Sequence, residues 1–115
     1  MDLTFPEELL LLALHDTDGT ILPGTAVQQG LAAGVLAELL LGGRLRLESS
    51  KQLVSMQDPT PTGNAVIDEC LLRIRESRRR RRLQTWVQSL VNRGDLRHAV
   101  ARGLARQGIL HIEED

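Results

Sequence analysis

Apolar residues recur along this chain with two periods, and the changes of period mark its elements. Leu9–Leu14 is an apolar run preceded by Thr4-Phe5-Pro6-Glu7. That spacing is a capping box with proline tolerated in the first turn, so it predicts a short buried helix. His15–Gly19 reads as a turn. Thr25–Leu41 is the most apolar segment, with Val27, Leu31, Val35 and Leu39 at helical spacing and Gly30, Ala33, Gly34 and Ala37 allowing close approach by neighbours. It predicts a buried central helix closed by Gly42-Gly43. The period then falls to two. Arg44–Glu48 and Gln52–Gln57 alternate polar and apolar residues around Ser49-Ser50-Lys51, the pattern of a small hairpin.

Asp58-Pro59-Thr60-Pro61-Thr62-Gly63 is a rigid connection, because each proline disfavours helix at the residue before it. Helical spacing resumes with Val66, Ile67, Cys70, Leu71 and Ile74. It continues with Leu83, Trp86, Val87, Leu90 and Val91, and again with Leu96, Val100 and Leu104 before Gly108. Ile109–Ile112 reads as a terminal strand or extended tail. The expected fold is mainly α: a compact domain of about five helices around a buried central helix, with one small β-hairpin.

Composition agrees with that expectation. A chain of 115 residues, 42% hydrophobic, is one domain at most and can bury one core. Its aromatics are Phe5 and Trp86 alone, so the core is aliphatic, which favours helices over a β-sandwich. The single cysteine, Cys70, permits no internal disulfide. No basic segment precedes an apolar core at the start, so no signal peptide is expected, and no stretch has the length and apolarity to span a bilayer. A cytoplasmic location is expected.

Charge changes the picture more. The net charge is only −1, yet it is strongly polarised. Residues 1–72 hold 3 basic and 10 acidic side chains, −7; residues 73–106 hold 11 arginines and 2 acids, +9; residues 107–115 add three acids, −3. The centre of the basic part is Arg78-Arg79-Arg80-Arg81-Arg82. Such a distribution bears on partners, because clustered like charge attracts polyanions. An anionic membrane, nucleic acid and an acidic protein are the candidates.

Other residues offer specific chemistry. Asp16-Thr17-Asp18-Gly19-Thr20-Ile21 matches the D-x-D-G-T-hydrophobic signature of haloacid-dehalogenase-type phosphatases, where the first aspartate attacks phosphorus and the second is the acid/base. That chemistry requires a parallel strand before the motif, whereas the capping box predicts helix, so an Asp/Gly turn is the preferred reading. Arg93 and Arg97 stand i, i+4 around the start of the last helix, where a phosphate also meets free N–H groups and the positive end of the dipole. Arg102 and Arg106 repeat the spacing near its end, where cations complement the last carbonyls. Trp86 sits on the apolar stripe and is assigned to the core rather than to a membrane interface. His15, His98 and His111 have no ligand spacing among themselves or with Cys70, so no metal and no cofactor are expected.

Taken in order, several segments resemble the Golgi phosphoprotein 3 family of peripheral membrane proteins. They are Glu7-Glu8-Leu9-Leu10-Leu11-Leu12-Ala13-Leu14, Gly30-Leu31 with Leu36-Ala37-Glu38-Leu39, Gly43-Arg44-Leu45, Pro61-Thr62-Gly63 with Ile67-Asp68-Glu69, Trp86-Val87, and Arg102, Leu104 and Gly108-Ile109-Leu110. The resemblance covers nearly the whole chain and implies a mostly helical, non-enzymatic protein that recognises phosphatidylinositol 4-phosphate through a shallow basic pocket. In eukaryotic members the pocket uses a tryptophan, an arginine of the second helix and two basic residues opening a later helix. Carried over, these fall on Pro23, Ala32, Gly94 and Arg97, with Arg93 beside Gly94. The resemblance further implies residues 1–115 to be the N-terminal portion of the family's domain, without the arm and the oligomerising hairpin of longer relatives.

The expected function is therefore a peripheral membrane module binding an anionic phospholipid headgroup, acting as an adaptor. Arg93 and Arg97 are the expected headgroup residues, and Arg78–Arg82 the basic surface. The alternatives are a winged-helix-like nucleic-acid module, in which Arg93, Arg97 and the hairpin share one convex face, and the phosphatase of Asp16 and Asp18.

Overall fold

The computed structural model describes residues 3–14, 24–48, 52–93 and 96–108. Five helices and a hairpin follow in the order α1 (Phe5–Leu14), α2 (Gly24–Leu41), β1 (Leu45–Glu48), β2 (Leu53–Met56), α3 (Ala65–Glu76), α4 (Leu83–Asn92) and α5 (Leu96–Arg106). The mainly α architecture and the hairpin are those the periodicity predicts. The turn at His15–Gly19, with Asp16 and Asp18, and the tail Ile109–Ile112 lie outside the described residues.

α1 begins where the capping box predicts, with the Glu7 half of the box formed. Thr4 donates to Glu7 from both its backbone N–H and its hydroxyl, each at 2.9 Å. Glu7 is only 4% exposed, and its other oxygen accepts from Gln107 Nε2 at 2.7 Å, which ties α1 to the end of α5. Glu38 of α2 accepts from Phe5 N–H at 2.7 Å and relieves another orphan donor at the start of α1. α1 lies directly on α2, and the glycines permit it. A Cβ at Gly34 would meet Pro6 at 3.3 Å, and one at Gly30 would stand 2.5 Å from Leu9 Cδ2.

α2 is the centre of the core. Val27, Leu31, Ala32, Val35, Leu36 and Leu39 are buried, and residues of every other element pack around them. α2 ends in a Schellman motif: Arg44 N–H donates to Leu39 O at 2.9 Å and Gly43 N–H to Leu40 O at 3.2 Å, with Gly43 at φ +78°. The chain then enters β1, paired antiparallel with β2 in the register Leu45↔Met56 to Glu48↔Leu53. The Arg44 guanidinium clamps the connection that follows, donating to Thr60 O at 3.0 Å and Pro61 O at 3.3 Å.

α3 is capped by Asn64, whose side chain accepts from Val66 and Ile67 N–H at 3.1 Å. Asp68 in its first turn gathers Thr62 N–H, Thr62 Oγ1 and Gly63 N–H within 3.0 Å, which fixes the loop against the helix. Between α3 and α4 the arginine run follows the outer edge of β2. Arg82 bridges Leu53, Val54 N–H donates to Arg81 O at 2.9 Å, and Leu83 N–H donates to Gln52 O at 3.0 Å. Among the described residues no helix is long and apolar enough to cross a membrane.

Candidate anion-binding surface

The surface grows from the junction of α3 and α4. Ile74 is the last buried residue of α3, and from Arg78 to Arg82 every side chain is exposed. Five successive cations cannot be buried without costing several kcal/mol each, so the run stays in solvent while its backbone bonds to β2. Arg80 forms an ion pair with Glu48 of β1. Among the described residues, Arg75, Arg78, Arg79, Arg81 and Arg82 have no carboxylate partner, so most of the positive charge is left uncompensated.

Arg81 bends back over α4, its guanidinium carbon 5.2 Å from the centroid of the Trp86 ring, within cation–π range. Trp86 is 4% exposed, as its place on the apolar stripe predicts, but it also reaches the surface chemistry. It lines an open depression of about 570 Å³ together with Arg73, Arg78, Arg79, Arg81 and Ser89, with Glu76 as the one acid of the lining. Its indole N–H is buried and has no hydrogen-bond partner among the described residues. A smaller depression of about 150 Å³ on the hairpin side shares Arg78, Arg79 and Trp86 and adds Arg75 and Arg80.

The expected pair Arg93 and Arg97 is divided by the structure. Arg93 ends α4, and its side chain is only 8% exposed because it turns inward to α3, where it meets Glu69 at 2.8 Å. Glu69 also faces Arg73 at 4.0 Å and so links Arg93 to the arginine depression. Arg97, in the first turn of α5, is exposed, and no carboxylate pairs with it among the described residues. Beneath Arg93 lies Cys70, fully buried; loss of solvent raises its thiol pKa from 9.0 to about 11, against the opposing pull of the Arg93 guanidinium.

The remaining sequence-based candidates fall into place around these. Ala32 is 0% exposed in the core, so the alanine itself does not meet a ligand at the surface. Pro23 and Gly94 lie outside the described residues. Arg102 is exposed on α5, and Arg106 occupies its last turn, as expected for helix-end complementarity. Arg106 also borders a third cavity, of about 260 Å³, beside Glu7 and the cap of α3, but the Glu7 oxygens there are already engaged by Thr4 and Gln107. Among the described residues no group of three histidine, cysteine, aspartate or glutamate side chains gathers to hold a metal.

Two alternative readings are corrected. The phosphatase motif needs Leu9–Leu14 to be a parallel strand; the segment is helical, and the only sheet among the described residues is the two-stranded antiparallel hairpin. The winged-helix reading needs Arg93 on a convex face with Arg97 and the hairpin, and Arg93 is turned into α3 instead. Arg73, Arg75, Glu76 and Ser89 are members of the surface that sequence patterns missed. Arg73 stands i+4 from Glu69, a spacing that shows an ion pair but not the depression above it.

A model of the family described as Golgi phosphoprotein 3 (GPP34) matches residues 5–115. Among curated proteins, the chain is similar to the vacuolar protein sorting-associated protein 74 of Eremothecium gossypii, with 28% identity over 131 aligned positions. That alignment covers 96% of the chain and 40% of the relative, so the chain spans about two fifths of the relative's length.

Proposed function

The chain belongs to the Golgi phosphoprotein 3 family, and on that footing we propose that it is a non-enzymatic module that attaches to the cytoplasmic face of an anionic membrane. The preferred headgroup is of the phosphatidylinositol 4-phosphate type, and the role is that of an adaptor in membrane traffic. The observation that carries this reading is the set of exposed arginines at the α3–α4 junction, of which Arg80 alone has a carboxylate partner among the described residues. A relative named for vacuolar protein sorting fits a trafficking role.

The residues divide the task. Near an anionic bilayer each of Arg78–Arg82 contributes roughly 1 kcal/mol of attraction, falling off over a Debye length of about 8 Å at physiological salt. That recruits the protein without selecting a lipid. Selection falls to Arg97, exposed at the start of α5, where the helix dipole also favours phosphate. Arg93 fixes the end of α4 against α3 through Glu69.

Co-sedimentation with vesicles tests the reading. Binding is expected to vesicles of phosphatidylcholine that include phosphatidylserine or phosphatidylinositol 4-phosphate, to weaken steeply as salt is raised, and to lose its preference for the phosphoinositide in Arg97→Gln. Equal binding to pure phosphatidylcholine, or binding to none of the three, overturns it.

A further inference from the structure

The depression beside Trp86 has features that attraction to a flat bilayer does not require. It is an open depression of about 570 Å³ with a mixed basic and aromatic lining. Four guanidiniums border it, from Arg73, Arg78, Arg79 and Arg81, against the single carboxylate of Glu76. Guanidiniums present planar forks of donors suited to phosphate oxygens, and the stacking of Arg81 on the indole orients one of them in advance. Arg78, Arg79 and Arg81 form no ion pair among the described residues. Ser89 adds a hydroxyl, and Trp86 a buried N–H without an acceptor among those residues. Apart from the Glu76 carboxylate, each of these groups can donate to an anion.

We propose that this depression binds a compact, water-soluble multi-phosphate anion, held by Arg73, Arg78, Arg79 and Arg81 beside the Trp86 ring. A multi-phosphate fits better than the single charge of a common phospholipid phosphodiester, because the lining carries four guanidiniums against one carboxylate, and three of the four have no ion pair among the described residues. Occupancy cancels charge on the surface assigned above to membrane attraction, so the ligand acts as a soluble competitor of recruitment. Binding itself does not depend on the membrane reading being correct.

Trp86 is the only tryptophan and the chain has no tyrosine, so intrinsic fluorescence reports from the lining of the site. Inorganic tripolyphosphate, titrated into the full chain at constant ionic strength without lipid, is expected to give a saturable change in Trp86 emission. Orthophosphate is expected to bind at least about tenfold more weakly, since it makes fewer charge-assisted contacts. The double variant Arg78→Gln, Arg81→Gln is expected to weaken tripolyphosphate binding by at least about tenfold. Arg102→Gln, Arg106→Gln, which removes the same charge elsewhere, is expected to stay within about twofold, because only general attraction is lost. Circular dichroism establishes that each variant is folded. No saturable response, an equal loss in both double variants, or a Trp86 response to phosphatidylserine vesicles with none to tripolyphosphate overturns the proposal. Absence of vesicle binding alongside a tripolyphosphate response sinks the membrane reading only.

Discussion

The thiol of Cys70 sits where α3 meets the core, and burial lifts its pKa from 9.0 to about 11 although the Arg93 guanidinium pulls the other way. A raised folded-state value means that the native state resists ionisation that the unfolded chain undergoes freely. The resulting stability is present in full below pH 9 and is lost as pH rises from 9 to about 11. A shift of that size corresponds to about 2 to 3 kcal/mol. Urea unfolding across this window is expected to show the wild type losing more stability than Cys70→Ala, so that the wild-type advantage at pH 8 narrows by about that amount at pH 11. A gap that stays constant refutes the assignment. The same corner shows why single residues were hard to read in the sequence. Arg93 and Arg97 look equivalent at i, i+4, yet Glu69, 24 residues earlier than Arg93, draws one of them inward and leaves the other in solvent.

At the level of elements, α4 carries a visible defect. Its N-cap position is Arg82, in the extended conformation that a cap requires, but without a side-chain hydrogen bond to the first turn. Serine supplies that bond, so Arg82→Ser is expected to raise stability by about 0.5 to 1 kcal/mol, read as a higher urea midpoint. A lower midpoint would mean that the arginine side chain itself holds the junction. A charged residue kept where a cap would serve better fits a segment shaped by what it binds. The elements themselves were legible because their signals are local: the capping box placed α1, Gly42-Gly43 closed α2, and the change from period 3.6 to 2 located the hairpin. What escaped was the path of the arginine run. Five identical side chains have no periodicity, so nothing in them showed that the backbone of Arg81 and Arg82 bonds to β2. The depression escaped for a related reason, since it joins Arg73 of α3 to Ser89 of α4 through tertiary packing alone.

Across the whole molecule, one cluster of buried side chains draws from α1, α2, both strands, α3, α4 and α5, with α2 in contact with most of them. Contacts shared so widely leave no element a core of its own, and a small core of this kind unfolds cooperatively. Far-ultraviolet circular dichroism, which follows the helices, and Trp86 emission, which follows the α3–α4 junction, are therefore expected to give coincident urea curves with one midpoint. Separate midpoints would show that the basic surface melts independently of α2. Polarised charge is built onto this single framework: the acids are spread along residues 1–72, and the arginines crowd into the α3–α4 junction and α5. The backbone bonds between the arginine run and β2 bear on more than the placing of charge. A two-stranded hairpin exposes unpaired N–H and C=O groups along its edges, and such edges recruit further strands from other molecules. Here the outer edge of β2 is occupied by a segment whose side chains are all cationic, so a second copy approaching it meets its own charge. The residues that draw this protein toward anions thus also close the β2 edge of its hairpin to further strands.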